Sequence, residues 1–112
     1  MMDALENELK LAVRSNKWIY LPEYRLNLYY RITRRLIDGS MRDTIDLATI
    51  EIDEEFRGKG YFTSFLEEIE KLADKYSRVI FVESILNDSL YSFLCRRGYR
   101  DGDYGCHMCL YK

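Results

Sequence analysis

The chain has 112 residues, of which 47% are hydrophobic and 14% aromatic, and its 19 acids against 17 bases leave a net charge of −2. That is enough apolar side chain for one packed domain over residues 1–112 and too much for a disordered segment, while the near-neutral balance argues against nucleic acid as a partner held by bulk charge. No apolar run reaches a membrane span and no signal-peptide pattern opens the chain, so the expectation is a cytoplasmic protein with no membrane partner.

Asp3 to Asn16 reads as a helix, with Leu5, Leu9, Ala12 and Val13 on one face and Asn16 as its stop. Trp18, Ile19, Tyr20 and Leu21 form an apolar cluster before Pro22, and large aromatics in such a cluster are expected in the core. In Leu26 to Ile37, Leu28, Tyr30, Ile32 and Leu36 alternate with Tyr29, Arg31, Thr33 and Arg35, as strand residues do. Asp38-Gly39 is a hairpin turn signal, so this strand is predicted to pair antiparallel with Thr44–Ile52. Arg31, Arg34, Arg35 and Arg42 make a basic region, read first as a solvated strand face and second as a contact for an acidic substrate or phosphate.

The stretch from Thr44 to Tyr76 carries the sharpest signal. A β-branched alternating run, Thr44–Ile52, leads through Arg57-Gly58-Lys59-Gly60 into a helical pattern with Phe62, Phe65, Leu66, Ile69, Leu72, Ala73 and Tyr76 on its apolar face. A glycine turn from strand into helix leaves free N–H groups at the positive end of the helix dipole, which suits an anion, most often phosphate. Lys59 precedes Gly60, so the spacing of a nucleotide-triphosphate loop is absent. A dinucleotide fingerprint lacks its third glycine, since Thr63 stands there, and the chain is short for a doubly wound sheet. A glycine-capped helix with no ligand remains an alternative.

Arg57-Gly58-Lys59-Gly60-Tyr61-Phe62 resembles the R/Q-x-x-G-x-G/A signature of the GNAT N-acetyltransferases. Asn87 to Tyr99, beyond a short strand at Arg78–Ser84, resembles their N-x-x-A-x-x-F-Y-x-x-x-G-F pattern. The resemblance covers about Thr44 to Tyr99. It implies an α/β (α+β) fold with a mixed, mostly antiparallel sheet, helices on both faces and a shortened N-terminal half. It implies acetyl-CoA as co-substrate, held by Arg57, Gly58, Lys59, Gly60, Tyr61, Phe62 and Thr63 at the pyrophosphate. Ile50, Glu51, Ile52 and Asn87 would lie along the pantetheine arm. The reaction implied is acetyl transfer to a primary amine, such as a protein lysine or N-terminus.

That reaction needs the amine to lose a proton from a group of ordinary pKa near 10.4. Asp46, Glu51 and Glu83 are the candidate bases. The family's tyrosine acid position is Leu94 here, and Tyr91, one helical turn earlier, is the candidate substitute. Leu94, together with Phe62 in place of a small residue, keeps a second reading open: a catalytically inactive interaction module of the same fold, binding a protein partner with or without CoA. An open edge strand is a route to a homodimer.

Tyr99 to Lys112 reads as a turn at Asp101-Gly102-Asp103 and Gly105 followed by a strand, Cys106 to Tyr111. Cys106-His107-Met108-Cys109 has metal-like spacing, but on a strand the two cysteines point to opposite faces, so no metal is assigned. Three cysteines, an odd number, argue against a disulfide framework.

Overall fold

A computed structural model describes residues 2–11, 14–85, 87–101 and 109–112. These form a five-stranded sheet and three helices in an α+β arrangement. In chain order they are α1 (Asp3–Leu11), β1 (Ser15–Leu21), β2 (Leu26–Ile37), β3 (Ser40–Ile52), α2 (Tyr61–Lys75), β4 (Val79–Val82), α3 (Asp88–Arg96) and β5 (Leu110–Tyr111). The sheet runs β1-β2-β3-β4-β5, with β3 and β4 parallel and every other pair antiparallel.

The hairpin forms as its sequence predicts. Asp38 and Gly39 both take positive φ, 51° and 85°, the twist that a tight connection between two right-twisted strands requires. Leu26, Leu28, Tyr30 and Ile32 then fall on one face with Ile45 and Leu47, all at most 1% exposed. α1 packs Leu5 and Leu9 on that face, α2 packs Phe65, Leu66 and Ile69, and α3 packs Leu94. All three helices therefore cover the same side of the sheet, which corrects the expectation of helices on both faces. Arg97 and Tyr99 of the α3 end bind Glu70 of α2 at 2.8–2.9 Å and hold these two helices together there.

Two N-terminal expectations also change. α1 stops at Leu11, and Ser15 and Asn16 already belong to β1, so Asn16 is a strand residue; Ala12 and Val13 lie outside the described residues. On β1 the pleat sends Leu21 into the core and Trp18 and Tyr20 the opposite way, onto the helix-free face, where they are 56% and 54% exposed. Trp18 rests against its cross-strand neighbour Tyr29, ring centroids 5.3 Å apart. The buried aromatic cluster expected here is thus a strand with an outward aromatic pair.

Most of the C-terminal turn and strand, residues 102–108 with Cys106 and His107, lies outside the described residues. β5 is short and Arg100 bridges to Tyr111 beside it. Cys109 is 1% exposed and disulfide-bonded, where the odd cysteine count argued against disulfides; Cys95 is a free, exposed thiol.

A buried carboxylate clamps α1 to the sheet. Glu8 accepts hydrogen bonds from Ser15, at 2.9 Å, and from the Tyr30 hydroxyl, and pairs with Lys17. Burial works to raise its pKa, but the bonds from Lys17, Tyr30 and Ser15 outweigh it and hold the carboxyl below its usual 4.5. Its stabilisation is therefore full above the ordinary carboxylate range and lost as pH falls through the lowered folded value. Glu8→Gln is expected to cost on the order of 2 kcal/mol at pH 7. In urea denaturation the gap from wild type should close below about pH 4.5; a gap that stays constant to pH 3 would show that charge has no part in the clamp.

Candidate functional site

The site begins where β3 and β4 stop pairing. Their parallel register runs from Thr44↔Val79 to Leu47↔Val82, and the Glu83 N–H adds one last bond to the Leu47 carbonyl at 3.3 Å. Two local devices then separate the strands. Between the pairs Tyr30↔Leu47 and Tyr29↔Thr49, β3 carries one extra residue, Ala48, a bulge that bends it. On the other side Ser84 takes φ 57° and turns the chain away from the sheet. Beyond Leu47 the β4-facing edge of β3 has no strand partner among the described residues.

A groove of about 620 Å³ occupies this opening. Ile50 and Ile52 form one wall, α3 supplies Ser89, Leu90 and Phe93 with Asn87 before it, and the turn into α2 closes the end. Gly58 and Gly60 have φ 74° and 86°, and a side chain at either would meet open space. The turn therefore needs glycine for its left-handed backbone and not for lack of room. Gly60 is the N-cap of α2, and the cap provides no side-chain hydrogen bond. The first N–H groups of the helix, at Tyr61, Phe62 and Thr63, thus keep the unpaired character of a helix start, at the positive end of the dipole.

Of the eleven residues assigned to the co-substrate from sequence, nine line this groove: Ile50, Ile52, Arg57, Gly58, Gly60, Tyr61, Phe62, Thr63 and Asn87. Glu51 alternates to the other face of β3, and Lys59 is exposed beside the turn. Phe62, the bulky departure from the signature, packs against Phe65 and Phe93 at centroid distances of 6.2 and 6.1 Å, so its ring joins the groove wall and the core. The Asn87 side-chain oxygen accepts from the N–H groups of Ser89 and Leu90, at 2.8 and 3.1 Å, and caps α3. Arg57 donates from Nε to the Ile52 carbonyl at 3.1 Å, tying the turn to the end of β3.

Phe56, Ser89, Leu90 and Phe93 were not singled out as ligand contacts. Phe93 fills the aromatic place of the second motif and Leu90 lies one turn before it, so spacing carried a signal for both. Phe56 had none beyond being a large aromatic between acids and the glycine turn.

The four candidate acid–base residues do not line the groove. Asp46 is 0% exposed on the helix-free face, where it accepts from Thr44 at 2.7 Å and from Arg35 at 2.9 Å. Glu83 pairs with Arg31 and, at 2.9 Å, with Arg35, whose guanidinium lies 4.1 Å from the centre of the Phe81 ring. The arginines expected on a solvated face are thus partly internal: Arg31 and Arg35 neutralise two carboxylates, while Arg34 makes an exposed pair with Asp43 at 3.1 Å. Glu51 is exposed. Tyr91 is half-buried against the core, its hydroxyl pKa pushed up by burial and by the nearby charges of Asp101 and Cys95. Leu94 is a core residue, 0% exposed.

The described residues hold no group of three or more His, Cys, Asp or Glu placed for a metal, and no helix among them is long and apolar enough to cross a membrane. The chain matches no protein-family model and no curated protein.

The Arg35 bridge makes a sharp prediction. Burial raises the Asp46 pKa, opposed by Thr44 and Arg35, while Glu83 adds to the rise. Arg35→Leu leaves a fully buried carboxylate without its cation, at a cost on the order of 3 kcal/mol at pH 7.5. With the folded pKa raised further above the unfolded value, stability falls as pH rises between the two. Denaturation at pH 5 and pH 7.5 should therefore give the larger deficit at the higher pH; equal deficits would place the Arg35 contribution in packing alone.

Proposed function

We propose that the chain is a GNAT-like acyl-CoA-binding domain that transfers acetyl from acetyl-CoA to a primary amine. The observation carrying this reading is the convergence of residues from two separated motifs on one groove that ends at a helix start without a side-chain cap. Bound acetyl-CoA would supply an activated thioester. The N–H groups of Tyr61, Phe62 and Thr63 would take its pyrophosphate, with Arg57 and Lys59 adding charge. The unpaired edge of β3 from Ala48 to Ile52 offers backbone groups to an amide-rich arm, as a sheet edge accepts a further strand.

At the parting of the strands, backbone N–H groups of β3 near the Ala48 bulge would be the polarising donors that a thioester carbonyl requires. The acceptor amine attacks the carbonyl carbon, the C–S bond breaks, and the proton passes to water, since Asp46 is inaccessible and Glu83 is engaged by arginines. A departing thiolate of ordinary pKa near 8.5 needs no acid. Rate would then come mainly from binding and orientation. The helix-free sheet face beside the opening suits a protein lysine or N-terminus better than an engulfed metabolite.

One observation favours the second reading, a CoA-binding interaction module: none of the four acid–base candidates lines the groove. Free CoA released with an amine acceptor above the rate of acetyl-CoA hydrolysis separates the two.

Thr63→Glu tests the site itself. A carboxylate at the third helical position meets the helix dipole favourably, adding about 0.5 kcal/mol, and repels phosphate. The variant should unfold at or above the wild-type temperature and lose the stabilisation that excess acetyl-CoA gives, about 2.7 kcal/mol at one hundred times Kd. An undiminished ligand shift in this variant would remove the pyrophosphate from the start of α2.

A further inference from the structure

The end of the groove nearest α2 holds an arrangement that binding of a pyrophosphate and an acyl arm leaves unused. Arg25 closes a short helical turn at Pro22–Tyr24, with φ 51° and ψ 45°, a left-handed conformation that costs a non-glycine residue energy. Its N–H bonds the Pro22 carbonyl at 3.3 Å, and its guanidinium lies 5.1 Å from the centre of the Phe56 ring. Phe56 meets Tyr61 edge to face, centroids 6.0 Å apart at 88°. Both aromatics line the groove beside Gly58 and Gly60. Tyr24, next to Arg25, packs edge-on against Phe65 at 5.9 Å, fixing the turn against α2.

The order of groups along the groove gives this arrangement a ligand. A CoA thioester with its arm along Ile50–Ile52 and its pyrophosphate on the first turn of α2 has its nucleoside still to place, one ribose from that turn. The aromatic surfaces there are Phe56 and Tyr61; of the guanidiniums, Arg57 lines the groove and Arg25 lies just outside its lining, against the Phe56 ring. Purines stack on aromatic rings and on guanidinium planes, and a 3′-phosphate pairs with arginine. Resting on the acyl-CoA reading above, we infer that Phe56 and Arg25 form the seat for the adenine and its 3′-phosphate. The site then selects a thioester carrying the whole nucleotide over a bare pantetheine thioester. Both are positioning residues, remote from the reacting carbonyl.

Calorimetric titration with acetyl-CoA, its 3′-dephospho form and S-acetylpantetheine tests this. The wild-type chain should bind acetyl-CoA about 10-fold or more tighter than either probe. Arg25→Gly suits the left-handed backbone, so it keeps the fold; it should erase the preference for acetyl-CoA over the 3′-dephospho form. Phe56→Leu should weaken both nucleotides about 10-fold and leave S-acetylpantetheine unchanged, and Phe56→Trp should keep the nucleotide affinity. If Arg25 and Phe56 only fasten the turn, these variants lower the unfolding temperature and affect all three probes alike, which overturns the inference. Equal wild-type affinity for acetyl-CoA and S-acetylpantetheine also overturns it. Acetyl-CoA binding that ignores both Arg25→Gly and Phe56→Leu removes this inference alone, whereas a wild-type chain that binds none of the probes removes the acyl-CoA reading with it.

Discussion

The parting of β3 and β4 is the constraint on which the rest of the molecule turns. Four parallel rungs hold them, and then Ala48 bends one strand while Ser84 turns the other away. Had the pairing continued, Ile50 and Ile52 would be interior strand residues and the turn at Gly58–Gly60 would abut a closed sheet. Because it stops, backbone polar groups of β3 stand beside apolar walls from α2 and α3. Unpaired backbone in such a place demands a partner, whether water, a further strand or an amide-rich ligand. The groove is thus a consequence of incomplete pairing and not a hollow left by poor packing.

The sheet separates two kinds of polar chemistry. The helix-covered side holds the groove and the clamp at Glu8. The helix-free side holds Asp46, Glu83, Arg31 and Arg35 in a neutral network laid over Phe81. Every member has a partner, and no buried side-chain nitrogen or oxygen among the described residues lacks one. Glu83 is held by both guanidiniums and Asp46 by one, so neither oxygen pair is turned toward the groove. Of the three carboxylates that sequence spacing marks as acid–base groups, Asp46 and Glu83 belong to this network and Glu51 is exposed.

What could be read in advance was local. The hairpin follows from alternation and one Asp-Gly pair, α2 from its apolar spacing, and the groove-lining turn from two glycines between strand and helix. Contacts between distant segments could not be read. The Arg35 bridge joins residues 11 and 48 positions apart, and nothing in a basic strand face announces that two of its arginines turn inward to carboxylates. The end of α1 failed for another reason: helical and strand periodicities overlap from Arg14 to Asn16, and pairing of Ser15 with Ile32 decided in favour of the strand. Trp18 lies outward because hydrophobicity says only that a side chain prefers burial, while the pleat determines which face it occupies. The helices share one face for the same reason, since their apolar stripes specify burial without specifying a side.

The acidic composition needs to be weighed against an anion site. Asp53, Glu54 and Glu55 lie just ahead of Phe56, all exposed, around a recess of their own. Water and salt screen exposed charges within about 8 Å at physiological ionic strength, so their repulsion of a phosphate in the groove is small. The N–H groups at the start of α2 act at hydrogen-bond distance, where direct contact leaves no room for screening. A net charge of −2 therefore says little about what this groove accepts. The short segment from Asp53 to Phe56 thus sets exposed acids toward water and an aromatic ring against the Arg25 guanidinium, side by side at one end of the groove.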